Sequence, residues 1–96
     1  MSINVTLKQK ANYEVVVTPR FDREFLRLAK SARLRISSKI DGLAMGPHSN
    51  KALHGDMAGL FSLRVGDYRV IYSIDEVLKR VLLLSVKHRK HAYDRL

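Results

Sequence analysis

Apolar residues change their spacing along this chain, and each change marks an element. Tyr13–Thr18 (YEVVVT) is a run of aromatic and β-branched residues, which predicts a strand. From Thr18 the spacing lengthens: Phe21, Phe25 and Leu28 recur at i, i+4 and i+7, one stripe of a helix. Thr18 offers an N-cap oxygen and Pro19 fits the first helical position. Ile36, Ile40, Leu43 and Ala44 repeat the stripe, predicting a second helix capped by Ser31 and stopped at Gly46-Pro47. His48–Gly59 is polar with two glycines and reads as a loop.

Beyond the loop the period falls to two. In Leu60–Val65, Phe61, Leu63 and Val65 face one way, with Ser62 and Arg64 opposite. Gly66-Asp67 makes a turn, and Tyr68–Ile74 sets Tyr68, Val70, Tyr72 and Ile74 against Arg69, Ile71 and Ser73. After a second turn, Asp75–Lys79, the strand Arg80–Lys87 is apolar on both faces and is expected at the centre of the sheet. His88–Leu96 is a short polar tail, and residues 1–12 read as an N-terminal extension to a single domain, 13–96.

The expected fold class is therefore α+β: an N-terminal strand, a helical hairpin, then an antiparallel three-stranded meander. They form one curved sheet with both helices on one face. Phe21, Phe25, Leu28, Ile36, Ile40 and Leu43 should meet Phe61, Leu63, Tyr72 and Leu84 in the core. The other face then presents Arg64 and Arg69 from neighbouring strands, with Lys87, His88 and Arg89 at the end of the last one.

Charge gives that face a meaning. The chain has 96 residues, a net charge of +9 and a pI near 10.3. Such an excess argues for a polyanionic partner: nucleic acid, an anionic membrane surface or an acidic protein. With no cysteine, thiolate chemistry and disulfides drop out. No apolar run approaches a membrane span and the start lacks a secretory pattern, so a cytoplasmic protein is expected.

Cutting RNA without a metal needs three services: a proton removed from a ribose 2′-hydroxyl, charge stabilised on phosphorus, and a proton given to the leaving 5′-oxygen. Arginine suits the second, and histidine or tyrosine the proton transfers. Arg64, Arg69 and Arg89 are candidates for the phosphate, with His88, His91 and Tyr93 nearby. Each also has a plainer reading, as a solvated strand arginine, a surface histidine or a packed tyrosine. His88 and His91 at i, i+3 could hold a metal only with Asp94 as an acidic third ligand, so a metal site is not favoured. Lys51 and His54 read first as solvated loop residues.

Three segments sharpen this picture. KALHG (51–55), GLFSLRVGDYRVIY (59–72) and SVKHR (85–89) followed by Tyr93 closely resemble the RelE/ParE superfamily of microbial toxins. YEVVVTPRFDREFLRL (13–28) resembles the family's first strand and helix, so the resemblance spans roughly residues 13–96. It implies two helices on a curved antiparallel sheet, an endoribonuclease cutting messenger RNA in the ribosomal A site without cofactor or metal, and a RelB-like antitoxin that holds it in a hetero-oligomer. By position, Arg64, Arg69, Arg89 and Tyr93 match catalytic positions, while Lys51, Lys87, His88 and His91 are expected to bind substrate. Where the family's strand carries a first basic residue this chain has Ser62, which weakens a lysine-assisted proton abstraction there and leaves His88 or His91 to compensate. Two alternatives stand beside this reading: a ParE-like poison of DNA gyrase, and a nucleic-acid-binding module whose arginines only hold phosphate.

Overall fold

The computed structural model describes residues 12–91. In chain order the elements are β1 (Glu14–Val17), α1 (Pro19–Leu26), α2 (Lys30–Asp41), β2 (Lys51–Ala52), β3 (Leu60–Val65), β4 (Tyr68–Asp75) and β5 (Arg80–His88). The strands form one open sheet in the order β1-β5-β4-β3-β2. The doubly apolar β5 is internal, with β1 parallel on one side and β4 antiparallel on the other, but β4, not β5, holds the centre. β3 and β4 are joined by two residues, Val65 pairing directly with Tyr68. Gly66 takes φ 58° there, the left-handed region that glycine enters without a Cβ penalty and that tight hairpins require.

α1 begins as its sequence dictates. Thr18 is extended, its hydroxyl oxygen accepts a hydrogen bond from the Phe21 N–H, and Pro19 is the first helical residue. α2 differs from expectation at its start. Ala29 is the N-cap, with no side-chain cap, and Ser31 lies inside the first turn. Leu28 is held against the core, so the chain turns immediately after it. Arg33 steadies this uncapped corner by donating to the Leu28 carbonyl at 2.7 Å. At the other end α2 yields to a 3-10 turn, Gly42–Ala44, before Gly46-Pro47.

Both helices cover one face of the sheet. Phe21, Ala32, Ile36, Ile40 and Leu43 pack with Leu63, Val65, Val70, Tyr72, Val81, Leu83 and Val86 in a single buried cluster. Phe25, Leu28 and Phe61 are only partly buried at its margin. Leu84, expected in the core, is not there. Ile71 pairs with Ser85 and Tyr72 with Leu83, so Leu84 is the extra residue of a β-bulge. A bulge bends its strand and deepens the local twist. Two further additions lie in the stretch read as loop: the two-residue edge strand β2, and short 3-10 turns at Pro47–Ser49 and Gly55–Met57.

Candidate functional site

The uncovered face is built by strand register. Arg64 on β3 pairs directly with Arg69 on β4, and Arg69 pairs with Lys87 on β5. Directly paired residues point to the same face, so three cations stand in one row, roughly 10 Å across two strand spacings. The next row is Lys51, Ser62, Ile71 and Ser85. Its three inner members are buried, Ser85 with its hydroxyl on Glu24 of α1. Like charges set opposite one another in a sheet cost stability. Within the chain, Lys87 is offset by Glu24 at 3.6 Å.

A cleft of about 500 Å³ opens over these rows, lined by Ser49, Asn50, Lys51, Ser62, Arg64, Arg69 and Arg89. Four of the seven are cations and none is a carboxylate. Arg69 donates to the Tyr68 carbonyl at 3.2 Å, which orients its guanidinium. Arg89 leaves the end of β5 with its N–H on the Asp67 carbonyl at 2.7 Å. Among the described residues its side chain has one carboxylate contact, long and exposed, at 4.0 Å from Asp67. Arg64 has no acidic partner among the described residues and is exposed.

One wall of the cleft is pinned from beneath. The buried Tyr72 hydroxyl donates to the Pro47 carbonyl at 2.6 Å and accepts from the Asn50 side-chain amide at 3.0 Å. Burial pushes the Tyr72 pKa up, against the opposing effect of Asn50, so the hydroxyl stays a neutral donor. Beside it, His48 Nε2 lies 2.6 Å from Glu76 in the β4–β5 turn. Segment 47–51 is thereby fixed to the sheet that carries the arginines.

The cleft gathers some of the expected residues and not others. Arg64, Arg69, Arg89 and Lys51 line it together. Lys87 shares their face, but its ammonium lies 3.6 Å from Glu24 and does not line the cleft. His88 does not line the cleft. It pairs with Tyr68 and meets that ring edge-on at 5.8 Å, on the helix side of the sheet, turned away from the arginines. Its Nδ1 accepts from the Lys90 N–H. His91 follows in an exposed turn, its N–H on the His88 carbonyl. Tyr93 lies outside the described residues.

Three participants had escaped the residue pattern. Ser49 and Asn50 enter the cleft through the 3-10 turn that precedes β2, which carries no periodic signal. Glu24 was missed because its partners lie about sixty residues away. β1 ends at Val17, which leaves the outer edge of β5 bare beyond Leu83. Glu24 fills that gap, accepting from the Val86 N–H at 3.1 Å and the Ser85 hydroxyl at 2.7 Å. Burial raises its pKa, but the bonds from Ser85 and Val86, with Lys87 and Arg20 nearby, outweigh that and hold the carboxyl below its usual range.

Comparison with known proteins places the chain among the toxins of type II toxin–antitoxin systems. Residues 15–93 match the family model described as the ParE toxin of type II toxin-antitoxin systems. The chain is 36% identical over 83 residues to the toxin RelE of Mycobacterium tuberculosis, covering 84% of this chain and 86% of that protein. The toxin–antitoxin complex RelBE2 from the same organism contains a chain of which 99% superposes on 81% of this one, with a TM-score of 0.76 and 32% identity. In the archaeal RelE–RelB complex from Pyrococcus horikoshii the corresponding values are 99% and 84%, with a TM-score of 0.67 and 28% identity.

Proposed function

The chain belongs to the RelE/ParE superfamily of type II toxin–antitoxin toxins, and within it we propose a RelE-type endoribonuclease that cuts messenger RNA in the ribosomal A site. The observation that carries this reading is the cleft: Arg64, Arg69 and Arg89 with Lys51, and no carboxylate among the lining residues. That is a receptor for a phosphodiester, and one suited to a phosphodiester gaining charge.

In the proposed reaction the ribose 2′-oxygen bonds to phosphorus and gives up its proton. The bond from phosphorus to the 5′-oxygen breaks, and that oxygen takes up a proton. The products are a 2′,3′-cyclic phosphate and a 5′-hydroxyl end, with no net consumption of protons. Extra negative charge exists on phosphorus only during this exchange. Guanidiniums fixed beforehand therefore stabilise the transition state more than the substrate. Arg89 and Arg69 are assigned to the phosphate and Arg64 to the flanking backbone. Tyr93 is assigned to proton transfer by its family position, with His91 next; His88, on the far face, is withdrawn from that role. No metal or organic cofactor is invoked.

The same charges account for control. An acidic, partly disordered RelB-like antitoxin would mask Arg64 and Arg69 or displace the tail, in a cytoplasm where ribosomes are the target. The alternative suggested by the family model's name is a gyrase poison, which leaves broken DNA and intact messages. Mapping RNA ends on programmed ribosomes decides between them. The parent chain should cut at the A-site codon. Arg89→Ala should slow cutting roughly 100- to 1000-fold, the cost of one preorganised donor, while its melting curve stays in place. Arg89→Lys should recover little, because an ammonium lacks the two-pronged contact. Cutting by Arg89→Ala at the parental rate would sink the assignment.

A further inference from the structure

Lys51 belongs to β2, a strand of two residues at the edge of the sheet. An edge lysine is ordinarily a guard against strand pairing with other molecules. Three observations point elsewhere. Its direct partner across the ladder is Ser62, small and buried, so nothing beside it lifts the side chain away from the cleft it lines. The segment that delivers it is held by the buried Tyr72 through Pro47 and Asn50, and by Leu53 N–H on the Leu60 carbonyl at 2.9 Å. A solvated guard would need no such fixing. Finally, Lys79, Arg80, Lys87 and Arg89 each have a carboxylate within 4.0 Å, whereas Lys51 has none among the described residues.

Lys51 and Arg89 enter the cleft from opposite sides, one from the β2 edge and the other from the end of β5, with β3 and β4 between them. We infer that Lys51 is a catalytic residue: its ammonium contacts the scissile phosphate from the side opposite Arg89 and stabilises the charge that phosphorus gains as the 2′-oxygen attacks. This rests on the ribonuclease reading. Lys51 keeps its protons throughout, and the protons of the 2′- and 5′-oxygens move through other groups. The arginines and this lysine thus form a clamp whose two jaws come from the two margins of the sheet.

The chain has no cysteine, so a cysteine placed at 51 is its sole thiol. The experiment is single-turnover cleavage of messenger RNA on programmed ribosomes, with toxin titrated to saturation. Lys51→Gln and Lys51→Cys should lower the saturated rate constant about 10- to 100-fold, at or below the loss of a donor in a drier site. The half-saturating concentration should move by no more than about threefold, as for an interaction made mainly in the transition state. Alkylating Lys51→Cys with 2-bromoethylamine restores an ammonium at almost the same reach, and should restore most of the rate. Lys51→Arg should keep part of it.

Several results would overturn the inference. One is a saturated rate unchanged in Lys51→Gln. Another is a loss confined to the half-saturating concentration, the sign of a mere docking charge. A third is Lys51→Cys left inactive by alkylation while its melting temperature matches the parent. Failure of the parent itself to cut would remove the ribonuclease reading and this inference together, whereas a cutting parent with an equally fast Lys51→Gln removes this inference alone.

Discussion

The two faces of the sheet use the same strands and obey opposite rules. On the helix face, Leu63, Val70, Tyr72, Val81, Leu83 and Val86 are buried with Phe21 and Ile36. On the other face the same strands set Arg64, Arg69 and Lys87 side by side. The first arrangement lowers the free energy of the free protein, and like charges set side by side should raise it. Alternation lets one strand carry both, because neighbouring residues point to opposite faces except at the Leu84 bulge. The difference separates the side chains that keep the chain folded from those proposed to bind RNA, and substitutions on the two faces should differ in kind.

The largest expected effect lies on the helix face. Phe21 is buried and stacks on Phe25 with ring centres 5.6 Å apart. Phe21→Ala should cost about 3–5 kcal/mol by leaving a cavity, measured by urea unfolding, and half-buried Phe25→Ala should cost less. Equal losses at the two positions would show that the core is centred elsewhere. A smaller effect tests the seam between the faces, at Glu24. Its carboxyl is held below the usual range, so it stabilises the fold at pH values above the unfolded-state pKa of about 4.5. That contribution disappears as pH falls through the folded value. The parent's melting temperature should therefore drop on acidification below about pH 5, and Glu24→Gln should start lower and drop less steeply. Parallel acid limbs for the two proteins would remove Glu24 from the account.

The smallest effect has the opposite sign. Arg64→Thr relieves a like-charged cross-strand contact and puts a β-branched residue on β3. It should raise stability by about 0.2–1 kcal/mol while weakening cleavage. A loss of stability on this substitution would mean that the cationic row is not under strain, and the contrast between the faces would collapse.

Much of this contrast was legible in the residues. Period-two alternation over Leu60–Val65 and Tyr68–Ile74 is long enough to place Arg64 and Arg69 on one face, and a two-residue turn fixes their register. The limits were physical. β5 is apolar on both sides, so its pattern says nothing of which way His88 points. β2 has two residues, too few for any period, and so Lys51 read as loop. Ser31 is the better capping residue in isolation, but the packing of Leu28 decided where α2 begins. Glu24 bonds to residues 61 and 62 positions away, a relation that no local window contains.

The parallel pairing of β1 with β5 sets a timetable. Glu14 finds its partner only at Arg80 and Val17 only at Leu83. Loop-closure entropy must be met before so distant a contact can form, which makes this pairing a slow and late step. During synthesis the first strand and both helices emerge long before the strand they need. Until β5 is made, Glu24 has no strand edge to cap, the arginine row lacks Lys87, and Arg89 does not exist. A growing chain therefore lacks the complete cationic row, and the cleft lacks Arg89, until β5 has been made.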